Sequence, residues 1–284
     1  VGRLSSVWKT IKRDRYLTIS LLLLLITWAL VFVYPAPHDP NRQRLPDRLL
    51  SPLESSEYPL GTDQLGRDVL SNLLLGTRAS LRIAGIVVVL SFVIGCFLGI
   101  IAGYSGGAIE ALLMRLVDLQ LSMPTFLVAL AGAAILGKGV WKLIGILVFT
   151  GWVRYARVAR GATLSTKELV YVEAARSVGA GNLRIMLRHI FPNVAGPVLV
   201  MAFIHTPMVI MTEASLSFLG FGLPANVASI GKMINAGYPY LLRGDWWISL
   251  LPGAVLFWIA MAINLFTSAI RDRLDPKLRS AQRR

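Results

Sequence analysis

Hydrophobic positions along this chain gather into six stretches, at about residues 17–34, 81–104, 112–136, 143–155, 194–218 and 248–270, separated by polar segments. At about 1.5 Å of rise per residue, the first of these runs just spans the hydrocarbon core of a bilayer. The pattern therefore predicts an all-α integral membrane protein with six transmembrane helices. The first run follows Arg3, Lys9, Lys12, Arg13 and Arg15, set against a single Asp14. A signal peptide is the competing reading of that start. The run exceeds the roughly 7–15 residues of a signal core, however, and no small-x-small site follows it.

The polar segment between the fourth and fifth runs, residues 171–193, reads as two short helices joined at glycine. Ser165-Thr166-Lys167-Glu168 has the form of a capping box for the first helix. Gly179 suits its left-handed end, and the second helix, from about 182 to 190, is expected to stop before Pro192. This hairpin has no core of its own. Val170, Val172, Ala174, Ala175, Val178, Leu183, Ile185, Met186 and Ile190 must therefore be covered either by the membrane helices or by another protein.

Elsewhere the pattern predicts local features. Residues 35–59 are rich in proline and charge, as befits a connection. Leu65, Val69, Leu70, Leu73 and Leu74, after a cap at Thr62/Asp63, form one apolar stripe at helical spacing. That stripe fits either a helix lying on the membrane face or a solvated loop helix. Gly95, Gly99 and Gly103 lie four apart, a spacing that lets helix backbones approach. Arg115 and Asp118 are placed to pair, and Pro124 to kink the third run. Residues 132–138, GAAILGK, contain part of a phosphate-loop pattern, but Gly139 stands where Ser or Thr is needed and a membrane helix precedes it. Lys138 and Lys142 are better read as marking a tight turn. In the fifth run, Met201, His205, Met208, Thr212 and Ser215 fall at steps of three and four beside Pro207. Two readings stand: a face lining a translocation pathway, or ordinary packing with soft methionine filler. Glu213 is costly in lipid and is expected to be hydrogen-bonded.

Composition sharpens this picture. The 284 residues are 55% hydrophobic, and the mean hydropathy is +0.63, which sets aside a soluble domain. The net charge of +14 would point to nucleic acid in a soluble protein. Here it concentrates at the N-terminus, in the hairpin (Arg154, Arg157, Arg160, Lys167, Arg176, Arg184, Arg188) and in the tail (Arg271, Arg273, Lys277, Arg279, Arg283, Arg284). These three regions fall on one side after alternating crossings, which predicts cytoplasmic termini. Cys96 is the only cysteine, so no disulfide forms within one chain. His38, His189 and His205 lie far apart, and no metal site is predicted. No nucleophile with a positioned base is evident, so no catalytic residue is assigned.

Four segments together resemble one family. Glu173-Ala174-Ala175, followed by Gly179 and Pro192, resembles the EAA loop of ABC importer permeases, with His189 and Phe191 in slots where the general form has isoleucine and leucine. Leu60-Gly61-Thr62-Asp63-Gln64-Leu65-Gly66-Arg67-Asp68 is similar to the LGTDxxGRD segment of the dipeptide, oligopeptide and nickel branch. Leu216-Ser217-Phe218-Leu219-Gly220-Phe221-Gly222 and Arg271-Asp272-Arg273-Leu274-Asp275-Pro276-Lys277 complete the set. The resemblance implies the type I permease fold, divided into an N-terminus with first helix (1–34), an extracytoplasmic segment with interfacial helix (35–76), a core (77–270) with the loop at about 161–193, and a basic tail (271–284). It assigns ATPase coupling to Glu173, Ala174, Ala175, Arg176, Gly179 and Pro192, and an extracytoplasmic motif to Gly61, Thr62, Asp63, Gly66, Arg67 and Asp68. It implies a non-catalytic subunit of a prokaryotic inner membrane, working with a second related permease, two ATPase subunits and an extracytoplasmic binding protein. ATP and magnesium would sit on the ATPases, with no cofactor and no nucleic acid on this chain. The implied cargo is a short peptide, with nickel chelates or glutathione as alternatives in the same branch. The reading from a different class is a secondary transporter or channel. That class calls for intramembrane carboxylates or two related halves, and only Glu213 and Asp118 offer themselves.

Overall fold

The computed structural model describes residues 15–274. The basic N-terminal positions Arg3, Lys9, Lys12 and Arg13, and the tail from Asp275 through Lys277 to Arg284, lie outside the described residues. The chain divides into two compact units, one built from residues up to 83 together with those from 210 onward, the other from residues 84–209. The elements in order are α1 (Arg15–Phe32), α2 (Val69–Ser105), α3 (Gly107–Leu121), α4 (Thr125–Leu136), α5 (Val140–Thr166), α6 (Val170–Ser177), α7 (Asn182–Ile185), α8 (Phe191–Phe218), α9 (Ile230–Gly237) and α10 (Trp247–Leu274).

In the first unit α1 lies along α10, and the Trp258 indole donates to the Thr27 hydroxyl at 3.0 Å. Arg78 ends α1: its guanidinium donates to the Val31 and Tyr34 carbonyls, each at 2.5 Å, meeting acceptors that a helix end leaves open. The residues expected to form a separate interfacial helix are instead divided. Leu65 lies in a turn, while Val69 to Leu74 open a single helix of 37 residues. The physical reason is Asp68. Its carboxylate accepts the Leu70 and Ser71 amides, each at 3.1 Å, and the Ser71 hydroxyl at 2.5 Å, which is N-capping at the second and third helical positions. The cap is therefore Asp68, not Thr62/Asp63.

In the second unit the three glycines of α2 bring it against α5. A Cβ on Gly95 would strike the Trp152 carbonyl, one on Gly99 the Ala156 carbonyl, and one on Gly103 would stand 2.8 Å from the Thr163 Cβ. Arg157 pairs with Asp118, and Arg160 with Glu110, tying α5 to α3. Asp118 thus takes its partner from the facing helix, not from Arg115. The third hydrophobic run breaks sharply: α3 and α4 meet at 87° around Ser122–Pro124, where Pro124 cannot continue the ladder. Lys142 donates to the Leu136 carbonyl at 2.8 Å, so it closes the end of α4 at the turn containing Gly137 and Lys138.

Among the described residues, three helical runs are long and apolar enough to cross a membrane: Val69–Ser105, Asn182–Phe218 and Trp247–Arg271. The bent pair α3/α4 makes a fourth if it is one span. This is fewer than the six expected, for identifiable reasons. The apolar part of α1, Tyr16–Phe32, is short, and α5 carries Lys142, Arg154, Arg157 and Arg160 along its length.

Candidate functional site: the basic hairpin and two buried polar clusters

The hairpin forms with different ends from those the sequence pattern predicts. There is no capping box: α5 continues through Ser165, whose hydroxyl donates back to the Gly161 carbonyl, and α6 begins after Leu169 without a side-chain cap. Its far end closes at glycine. Gly179 has φ +82°, its amide donates to the Arg176 carbonyl at 3.0 Å, and the Ala180 amide reaches the Ala175 carbonyl at 3.1 Å. That is the Schellman pair of bonds, which requires the left-handed residue between them.

Pro192 does not stop the second helix. Residues Met186–Ile190 widen into a π turn, with the Phe191 amide donating to Met186, five residues back, and α8 follows at once. The wide turn opens the backbone ladder just before a residue that has no N–H and whose ring would crowd the preceding turn. The Asn193 side chain then donates to the His189 carbonyl at 2.7 Å and to the Tyr171 hydroxyl at 3.0 Å.

The apolar residues of the hairpin split into two sets. Val172, Ile185 and Ile190 are each 0% exposed, packed with Cys96, Ile100, Tyr155, Ala159, Val194, Val198 and Ala202. At about 1.5–3 kcal/mol for each such side chain, they hold the hairpin to its own unit. Val170, Val178 and Leu183 remain 80%, 84% and 64% exposed, and Leu187 is exposed as well. Among the coupling candidates, Glu173, Ala174, Arg176, Gly179 and Pro192 are exposed and Ala175 is half-buried. Further anchors join the hairpin to Tyr104, which carried no motif signal: Tyr104 donates to the Asn182 side chain at 2.9 Å, and the guanidinium of the coupling candidate Arg176 lies over the Tyr104 ring, while Lys167 donates to the Gly103 carbonyl at 2.9 Å.

The motif at 60–68 is built differently. The Thr62 hydroxyl donates to the Asp47 carbonyl and accepts the Leu50 amide. Asp63 accepts the Leu65 and Arg67 amides at 2.8 and 2.9 Å. Burial pushes the Asp63 carboxyl above the usual carboxylate range, and these two amides pull it back. Gly61 and Gly66 both take positive φ, and a Cβ on Gly66 would run into the Arg44 carbonyl. His38, which carried no motif signal, brings its ring to 3.2 Å from Asp68.

The pathway candidates on α8 do not share one environment. His205 is buried, 2.9 Å from the Tyr155 hydroxyl. Met201 and Thr212 are half-buried, while Met208 and Ser215 are exposed. Glu213 is wholly buried and accepts hydrogen bonds from Ser80 at 2.5 Å, Ser217 at 2.8 Å and Ser229 at 3.2 Å, the structural role expected for it. The 216–222 motif supplies this cluster and then ends the helix. Gly220 takes φ +83° between bonds from Gly220 to Ser217 and from Phe221 to Leu216, a second Schellman turn. The serine partners were illegible in sequence because Ser80 and Ser229 lie 133 and 16 residues away from Glu213.

Residues 95–280 match the family model described as "Binding-protein-dependent transport system inner membrane component". Curated relatives include a dipeptide transport system permease of Bacillus subtilis, 35% identical over 96% of this chain and 85% of its own. A di/tripeptide transport system permease of Pseudomonas aeruginosa is 38% identical over 92% and 87%. A glutathione transport system permease of Pectobacterium atrosepticum is 37% identical over 91% and 85%. Two solved structures share the fold: an amino acid ABC transporter (TM-score 0.51, 16% identity, 72% of this chain and 94% of that one), and a methionine ABC transporter in inward-facing conformations (0.52, 18%, 70% and 96%).

Proposed function

The chain belongs to the family of binding-protein-dependent transport system inner membrane components, and on that premise we propose that it forms one half of the translocation path of an ATP-driven importer of short peptides. The observation that carries the reading is the display on the hairpin. Val172, Ile185 and Ile190 anchor it, while Glu173, Ala174, Arg176, Val178 and Leu183 face outward on a glycine-closed turn. Small residues there permit close approach of a partner, the exposed apolar side chains give it something to bury, and Glu173 and Arg176 offer polar contacts. The partner in this reading is an ATPase subunit. Because α5 leads into the hairpin and α8 leads out of it, a push on the hairpin is delivered directly to two membrane helices.

The remaining parts of the assembly are assigned on the same footing. A second related permease completes the path, a second ATPase subunit pairs with the first, and ATP and magnesium reside on those subunits. An extracytoplasmic binding protein delivers the cargo. Six crossings are assigned to α1, α2, the bent α3/α4 pair, α5, α8 and α10, with both termini cytoplasmic as the Lys and Arg distribution favours. Residues 35–68 are then extracytoplasmic. Met201, His205, Met208, Thr212 and Ser215 are assigned to the path, with His205 held by Tyr155. Short peptides are favoured as cargo because the dipeptide and di/tripeptide permeases of two bacteria are among the relatives; glutathione, also a peptide, is the alternative.

The test is reconstitution of the complete complex in proteoliposomes. Dipeptide uptake should require ATP on the hairpin side, and a photo-crosslinker at Ala174 should capture an ATPase subunit. Uptake that proceeds without ATP, or a crosslinker that captures only lipid, would overturn the assignment.

A further inference from the structure

The Tyr155–His205 pair joins the two long helices that carry the basic hairpin. At about 1.5 Å of rise per residue it lies about 17 Å along α5 from Thr166 and about 21 Å along α8 from Phe191. Tyr155 is 0% and His205 5% exposed, and their rings meet edge to face with centroids 5.4 Å apart. Much of what surrounds them is apolar: Cys96, Val198 and Ala202 share a core with Tyr155, and the Phe92 ring stands edge-on to it at 6.4 Å.

One polar group beside this pair is left over. Among the described residues from 84 to 209, two buried side-chain atoms have no hydrogen-bond partner, Ser91 Oγ and Arg154 Nε. Arg154 is otherwise engaged, its guanidinium donating to the Thr125 hydroxyl at 3.1 Å. Ser91, on α2 and 0% exposed, is not. Buried hydroxyls on α5 return to a carbonyl of their own helix, as those of Thr150 and Thr163 do. The Ser91 hydroxyl instead faces His205. A Cβ built on Gly151 would lie 2.8 Å from Ser91 Oγ and 2.9 Å from His205 Cε1, so the hydroxyl and the ring edge flank a point that any residue but glycine would fill. Cε1 adjoins both ring nitrogens. A buried hydroxyl without a partner carries a desolvation penalty, and one inside a native core calls for a reason.

We propose that Ser91 is the second hydrogen-bonding station of His205, taken up when the hairpin displaces α5 against α8 during transport. In this structure Tyr155 holds the ring; in the other state of the cycle that bond breaks and the Ser91 hydroxyl receives the ring. Both hydroxyls can donate and accept, so the exchange takes no proton off the ring. It also spares His205 an unmet state in an apolar core. Gly151 leaves open the gap that the ring crosses. Ser91 and Tyr155 are thus positioning residues that act on the transport step through His205. That an ATPase drives the hairpin rests on the function proposed above; that Ser91 lies unmet beside His205 rests on the geometry alone.

Ser91→Ala in the reconstituted complex is the test. Removing a hydroxyl that has no partner should leave the melting temperature of the nucleotide-free complex unchanged or raised. ATP-driven dipeptide uptake should nevertheless fall by roughly tenfold, the effect of one buried polar group left unmet in the second state. Ser91→Thr, which keeps the hydroxyl, should recover much of the uptake. Tyr155→Phe deprives the ring in the first state instead, and should lower the melting temperature as well as uptake. Uptake by Ser91→Ala equal to that of the wild type would overturn the exchange at His205. So would a Ser91→Ala complex that melts early, since the hydroxyl would then be at work in the first state, or a Ser91→Thr complex no faster than Ser91→Ala. Each of these results presupposes a wild-type complex that imports dipeptide with ATP, so they leave the transport reading standing. A wild-type complex that imports none removes that reading, and the exchange with it.

Discussion

The motif at 60–68 and the hairpin at 170–193 are both glycine-punctuated, both polar, and opposite in what they do with their side chains. In the first, Thr62 and Asp68 are buried and hydrogen-bonded to their own neighbourhood, and Asp63 is tied to two local amides. In the second, Glu173, Ala174 and Val178 are exposed, Val172, Ile185 and Ile190 are fully buried, and Ala180 and Met186 pack against them. A dense motif can thus mark a segment that must hold its own shape or one that must be touched by something else. Residue types alone do not separate the two; burial does.

That contrast predicts how each segment breaks. The largest effect should follow Gly66→Ala, because the new Cβ meets the Arg44 carbonyl and the residue sits at φ +70°. Strain of this kind costs about 1–3 kcal/mol before the clash is counted, and the variant should show a lowered melting temperature in detergent or fail to accumulate. Asp68→Ala comes next. It removes the cap of α2 and leaves the Ser71 hydroxyl and His38 ring without their acceptor, with an expected loss of about 1–2 kcal/mol in the same melt. On the hairpin the readouts should separate. Gly179→Pro removes the amide bonded to Arg176 and forbids the positive φ, so peptide uptake by the reconstituted complex should fall by roughly tenfold or more. Its melting temperature should move less than that of Gly66→Ala, since nothing surrounds the glycine. Val178→Ser should weaken ATPase association measured by pull-down while changing stability by only about 0.5 kcal/mol, as exposed positions do. The smallest effect belongs to Arg157→Met: its pair with Asp118 is more than half exposed on both sides, and such pairs contribute about 0–1 kcal/mol. A hairpin variant that melts as early as Gly66→Ala would erase the distinction.

Much of the molecule was readable from residue order alone. The helical class, the turn at Gly179, the close-packing role of Gly95, Gly99 and Gly103, and a hydrogen-bonded Glu213 all follow from local rules. The misreadings came where a second signal, near or distant, overrode the first local one. Ser165 to Glu168 has the letters of a capping box, yet its first half is the last turn of α5, which ends at Thr166, with Thr163 and Thr166 hydroxyls bonded back along the helix. Arg115 is the near neighbour of Asp118, yet the facing helix supplies Arg157. The cap on α2 was placed at Thr62/Asp63 because the apolar stripe starts at Leu65, whereas the turn closed by Gly66 delays the helix to Val69. The cavity lined by Gln64 and Arg67 on one side and Ser229 and Ala236 on the other could not be read at all, since its two walls are some 160 residues apart in sequence.

The π turn at Met186–Ile190 carries a consequence for anyone aligning this chain with others. One surplus residue in a helix shifts everything beyond it by about 100° around the axis. A homologue lacking that residue would aim its hairpin at a different quadrant while matching letter for letter on both sides. A single-codon gap placed anywhere near Pro192 is therefore a rotation of the docking face, and should be read as a change of partner geometry before it is dismissed as noise.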